Sequence, residues 1–123
     1  MKTRQTPEQQ AARMKAVMVA RAVLAVFENA HPGDDRPRRA TEVASRYALG
    51  QATAAELARA ETGADEAAAH AACGAWELAA VYAAIATCDR NADIALYRAT
   101  DQAWHVPAQI LQEAAAEQQA RAR

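Results

Sequence analysis

Residues 6–30 read TPEQQAARMKAVMVARAVLAVFENA, and this stretch decides the fold. Thr6 offers a hydroxyl to cap a helix, Pro7 falls in the first turn where its missing N–H is harmless, and Gln9 holds the reciprocal capping-box position. The sequence therefore predicts one helix from here to about Ala30. Two apolar stripes run along its middle, one through Val19, Val23, Val26 and Phe27, the other through Met14, Val17, Met18 and Leu24. A helix apolar around most of its circumference is either surrounded by others or keeps a second face for a partner or twin subunit.

The rest of the chain continues the same chemistry. Of its 123 residues, 37 are alanine, and only four glycines and four prolines interrupt them, so nearly all of it should be helical and a β architecture is excluded. The expectation is an all-α fold, a compact alanine-rich bundle of four to six helices forming a single domain over residues 1–123, with 1–5 and 114–123 as frayed ends. Leucine, isoleucine, valine and phenylalanine number only 17. The core should therefore consist of close alanine seams, with Phe27, Trp76, Tyr82, Ile85, Tyr97, Trp104 and Ile110 carrying much of the stability. So thin a core makes self-association a natural supplement. A net charge of −1 excludes a polybasic nucleic-acid binder and an acidic tail, although Lys2, Arg4, Arg13, Lys15 and Arg21 would allow a weak non-specific contact.

Breaks follow from local chemistry. His31-Pro32-Gly33-Asp34-Asp35-Arg36-Pro37 ends the first helix, and a second restarts near Pro37 and ends at Gly50, with Ala40, Val43, Ala44 and Tyr47 inward and Arg38, Arg39, Glu42 and Arg46 outward. Thr53 and Glu56 make a second capping box. Gly63 marks a break or new start, after which the helix runs to about Cys88, with Leu78, Val81, Tyr82 and Ile85 on one stripe. Cys73 and Cys88 would then be too far apart along one helix to pair. The last helix, about Ala92 to Ala120, should kink at Pro107, beside Trp104 and His105. The apolar stretch 16–27 is too short for a membrane span and contains Arg21, so the chain reads as a reduced, cytoplasmic protein.

Chemistry concentrates at the corner 31–39, which packs His31, Asp34, Asp35, Arg36, Arg38 and Arg39 into nine residues. An aspartate could cap the second helix while an arginine pairs with its neighbour, or the guanidiniums could form a recognition patch for carboxylates or phosphates. Under the second reading, Arg38→Glu weakens binding and leaves the domain folded. His31, His70 and His105 share no metal-ligand spacing, so a zinc site would need them to converge with an aspartate such as Asp34. A lone histidine such as His70 is more commonly a hydrogen-bonded core residue. Trp104 either fills the core or anchors a partner, and His105 accompanies it. Neither cysteine lies in a reactive motif, and no phosphate-cradling loop, nucleophile elbow or zinc-protease helix is present. No catalytic residue, cofactor or metal is expected.

The corner sequence His31 to Ala40, HPGDDRPRRA, followed by Glu42, Ala44, Tyr47 and Gly50, an alanine-rich helix and then His105-Val106-Pro107, resembles immunity proteins of the Imm-5-like group. The resemblance spans roughly residues 24 to 112. It implies that His31, Pro32, Asp35, Arg36, Pro37 and Arg38 are signature positions, with His105 as a further match; Trp104 and the arginine-bearing first helix depart from the pattern. The function this implies is non-enzymatic: a protein-binding inhibitor that neutralises a toxin or, as a phage-encoded protein, blocks a host defence complex in the manner of an anti-CRISPR. The partner surface would comprise His31, Asp34, Asp35, Arg36, Arg38, Arg39, Trp104 and His105, and a homodimer is compatible with it. The alternatives are a small helical enzyme or metal module built on His31, Asp34, His70 and His105, and a homo-oligomeric structural protein.

Overall fold

The computed structural model describes residues 5–70 and 74–122, and these form six helices with no strand among them. They are α1 (Pro7–Ala30), α2 (Arg36–Ala48), α3 (Ala54–His70), α4 (Ala75–Ala86), α5 (Ala92–Trp104) and α6 (Ala108–Ala122). Among the described residues, no helix is long and apolar enough to cross a membrane.

The long first helix is the central one. It packs against α2, α4, α5 and α6, while α3 lies outside on α2 and α4. Val17, Val23, Leu24 and Phe27 are all buried, which accounts for both apolar stripes, although Met18 on the second stripe remains largely exposed. Both capping boxes form. Thr6 Oγ1 accepts from the Gln9 N–H at 3.1 Å and Gln9 Oε1 from the Thr6 N–H at 2.9 Å; Thr53 and Glu56 exchange the same pair at 3.1 and 3.2 Å. After α2, Gly50 adopts φ +73°, its N–H reaches the Tyr47 carbonyl and the Gln51 N–H reaches that of Arg46. This double closure needs a left-handed residue, the conformation glycine adopts most readily.

Two boundaries differ from the sequence reading. Gly63 does not break α3, because the turns on either side supply the hydrogen bonds and nothing crowds its α-carbon. The break falls instead before α4, whose N-cap is Gly74. The expected spacing of Cys73 and Cys88 along one helix lies outside the described residues, as do Lys2 and Arg4. Pro107 does not kink one helix but separates two. It has no N–H to return to Ala103, whose carbonyl accepts from Val106 instead, and the residue before a proline is pushed out of the α region. The last described helix is joined to α1. Ala114 is buried and its carbonyl accepts from Asn29 Nδ2 at 2.9 Å, while Arg121 donates to the Asn29 carbonyl at 3.2 Å. At the other end Gln5 is buried.

A helix-interior glycine with open space around it invites a stability test. Gly63→Ala is expected to raise unfolding free energy by about 0.5–1 kcal/mol, since alanine loses less backbone entropy on folding and meets no atom within 4 Å. Urea denaturation of the two proteins measures it.

The core is built largely from alanine. Ala16 of α1 meets Ala86, Ala95 and Ala99, and Ala20 joins Ala67, Ala79, Ala80 and Ala83 around Val23 and Phe27. One buried group is not apolar. Arg13 is 0% exposed, donates to the Thr87 carbonyl at 2.6 Å, the Arg90 carbonyl at 3.1 Å and Gln5 Oε1 at 3.3 Å, and lies over the Tyr47 ring at 5.1 Å. Burial lowers its pKa, opposed by Tyr47, Cys88 and Asp89. Its guanidinium thus takes up carbonyls just beyond the C-terminus of α4, where the helix dipole favours a cation. An arginine expected at a basic surface is a structural member of the core. Cys88, beside it, is buried with its thiol pushed up to about 12, chiefly by desolvation, which makes it a core residue rather than a nucleophile.

Candidate functional site

At the corner, each arginine has a carboxylate of this chain. Asp34 Oδ1 accepts from the Arg36 backbone N–H at 3.1 Å, giving α2 the cap that its N-cap residue Asp35 does not provide. The Arg36 guanidinium then closes on both Asp34 oxygens at 2.9 and 2.7 Å, with Glu66 of α3 at 4.0 Å. Arg38 forks onto Glu28 of α1 at 2.6 and 2.7 Å, and Arg39 pairs with Asp35 at 3.0 Å one turn back. The Arg38–Glu28 fork ties α2 to α1 and the Arg36–Asp34 fork ties α2 to the turn before it, so the side chains that look free in the sequence are largely committed to holding the corner. Arg38→Glu would set a second carboxylate against Glu28, and is expected to lower stability before any effect on binding is read.

The corner also predicts a pH response. The Arg36 hydrogen bond holds the Asp34 carboxyl below its ordinary value. A group whose pKa is lowered on folding adds stability above its unfolded value, near 4 for aspartate, and loses it as pH falls through the folded value. Wild type should therefore lose thermal stability faster than Asp34→Asn as pH drops below about 4, which calorimetry across that range would check.

Two of the three histidines come together and the third stands apart. His31 stacks on Phe27 with ring centroids 4.8 Å apart and, with Asp34, Arg36 and His70, lines a shallow depression beside the corner. His70 is exposed at the end of α3 rather than packed in the core, because α3 is an outer helix. His105 lies at the junction of α5 and α6 and does not line that depression. Among the described residues, no three histidine, cysteine, aspartate or glutamate side chains are grouped to hold a metal ion.

The least expected surface lies on α5. Ala92, Ala95 and Ala99 form its inward stripe, and the closeness of α1 leaves no room there for a large ring. The aromatic residues consequently face out: Tyr97 is 73% and Trp104 86% exposed, seven residues and about two turns apart on one face. Between them Leu96, Thr100 and Asp101 complete a mainly apolar groove. A second groove continues from Tyr97 and Asp101 across Arg98 to Tyr82 and Ile85 of α4. Trp76 and Tyr82 are also more than two-fifths exposed, and Ile85 and Ile110 are only partly buried. Of the seven large side chains expected to form the core, only Phe27 is fully buried; Leu24, Leu57 and Tyr47 do that work instead. Trp104 therefore does not fill the core. The overlooked signal was the alanine spacing opposite it: alanines at positions 92, 95 and 99 mark the buried face as clearly as leucines would.

Comparison with protein-family models, curated proteins and solved structures finds no match to this chain.

Proposed function

We propose that this protein acts by binding another protein stoichiometrically, with the outward face of α5 as its anchor. The carrying observation is the placement of Trp104 and Tyr97, both largely in water, on one face of a helix whose other face is fixed against α1. Large aromatic rings bring much contact area for few rotatable bonds, and their exposure is unfavourable until a partner covers them. A rigid, preorganised helix face loses little entropy on docking. The His31–Arg39 corner supports this role from a distance: its Arg38–Glu28 pair holds α1 and α2 together, and Arg39, two-thirds exposed, retains a charge that can steer an approaching partner.

The biological class follows from the resemblance of the corner sequence to Imm-5-like immunity proteins. The reading is an inhibitor that occupies a toxin or, in a phage setting, a component of a host defence complex. His105, exposed next to Trp104, belongs to the rim of the same anchor.

Affinity capture from the native host, with wild type beside Trp104→Asp, tests this. A protein held by wild type, lost by the folded variant and re-forming a one-to-one complex when purified supports the proposal. A partner retained equally by both proteins overturns the anchor, and a partner chemically altered by catalytic amounts of this protein overturns the non-enzymatic reading.

A further inference from the structure

We infer that, when no other protein occupies it, the aromatic face of α5 is covered by the same face of a second copy in a two-fold dimer. This rests on reading that face as a protein-binding surface and names its resting occupant. A two-fold axis in the plane of the interface and perpendicular to α5 sets the helix antiparallel to its twin, so residues equally distant from the axis on opposite sides meet. With the axis level with Ala99 and Thr100, Trp104 falls beside Leu96 and Tyr97 of the second copy. Arg98 falls beside Asp101 of the second copy.

The charges on this face are complementary to themselves. Arg98 and Asp101 both border the groove on the Tyr82 side, and a two-fold operation of this kind keeps each flank on its own side. Symmetry then makes the Arg98–Asp101 pair twice. Arg98 already touches Asp89 at 3.3 Å, but it is 64% exposed, and its fork has further N–H donors to share. The opposite flank carries Leu96 and Thr100, which bring no like charges together. Covering Trp104, Tyr97 and Tyr82 from both copies removes on the order of 1,000 Å² from water, near the lower end for specific association. An interface of that size suits a dimer that dissociates on dilution and gives way to a tighter partner.

Sedimentation of the purified full chain from about 1 μM to about 1 mM, the affinity range such an area allows, tests the dimer without any target. The mass should rise towards twice 13.2 kDa with concentration. Asp101→Arg should weaken the dimer by about tenfold, as should Arg98→Asp, because each reversal acts twice; combining them should restore it to within a few-fold. Trp104→Ala, at an exposed position, should abolish it with the helical signal unchanged. A monomer throughout, or a combined variant no tighter than the single ones, overturns the inference. The two proposals fail separately: a dimer that captures no target removes only the inhibitor reading, and a monomer that captures one through Trp104 removes only the dimer.

Discussion

Arg13→Ala is expected to lower the unfolding free energy by about 3–5 kcal/mol, from buried carbonyls left without their donor together with the cavity that opens. The guanidinium is 0% exposed, and three hydrogen bonds and the Tyr47 ring hold it without a carboxylate in contact. Removing it leaves the Thr87 and Arg90 carbonyls without this donor at about 1–3 kcal/mol for each buried one, and opens a cavity between α1, α2 and the end of α4. Arg13→Met separates the two contributions: it keeps most of the volume and loses the donors, so it should cost about 1–3 kcal/mol. Arg13→Lys should fall between wild type and Arg13→Ala, since one ammonium on a flexible stem cannot satisfy a planar fork of acceptors. Urea unfolding followed by circular dichroism measures all three. A loss below about 1 kcal/mol for Arg13→Ala would show that the site is hydrated and the fork dispensable.

Trp104→Ala should have the opposite profile, with unchanged stability and a loss of partner affinity of at least about 2 kcal/mol, or roughly thirtyfold. The side chain is 86% exposed, so truncating it opens no cavity in the free protein. On binding it is the largest apolar group this face can bury, and central aromatic anchors dominate interfaces of this kind. Tyr97→Ala should follow in the same direction with a smaller loss. A calorimetric titration with the captured partner, beside thermal melts of the free variants, separates binding from folding. An Arg39→Ala variant, changing only an exposed steering charge, should mainly slow association and make it less salt-dependent.

Much of this architecture was legible in the sequence because alanine and the capping residues act locally. Thr6 with Gln9 and Thr53 with Glu56 open their helices where capping chemistry places them, and Gly50 closes α2. The inward positions of α2, Ala40, Val43, Ala44 and Tyr47, are buried as their spacing requires. What the sequence obscured was orientation. In most bundles large apolar residues mark the buried face, but where two helices approach along an alanine seam the ordering inverts, and Tyr97 and Trp104 are turned away from the seam that fixes α5. Arg13 was hidden for a related reason: its partners are backbone carbonyls more than seventy residues away, which carry no side-chain signature. The corner was half legible. Its charge pairing was foreseeable from adjacent opposite charges, whereas the fork of Arg38 onto Glu28 depends on how α1 and α2 cross.

The central claim is that the outward face of α5, rather than the charged corner, touches the partner. Site-directed photo-crosslinking tests it most directly, with a photoreactive phenylalanine analogue placed in turn at Tyr97 and at Arg39 and the captured partner added in excess. Crosslinks to the partner from position 97, absent from position 39, are the predicted result. Crosslinks from position 39 alone would contradict it and return the corner to the interface.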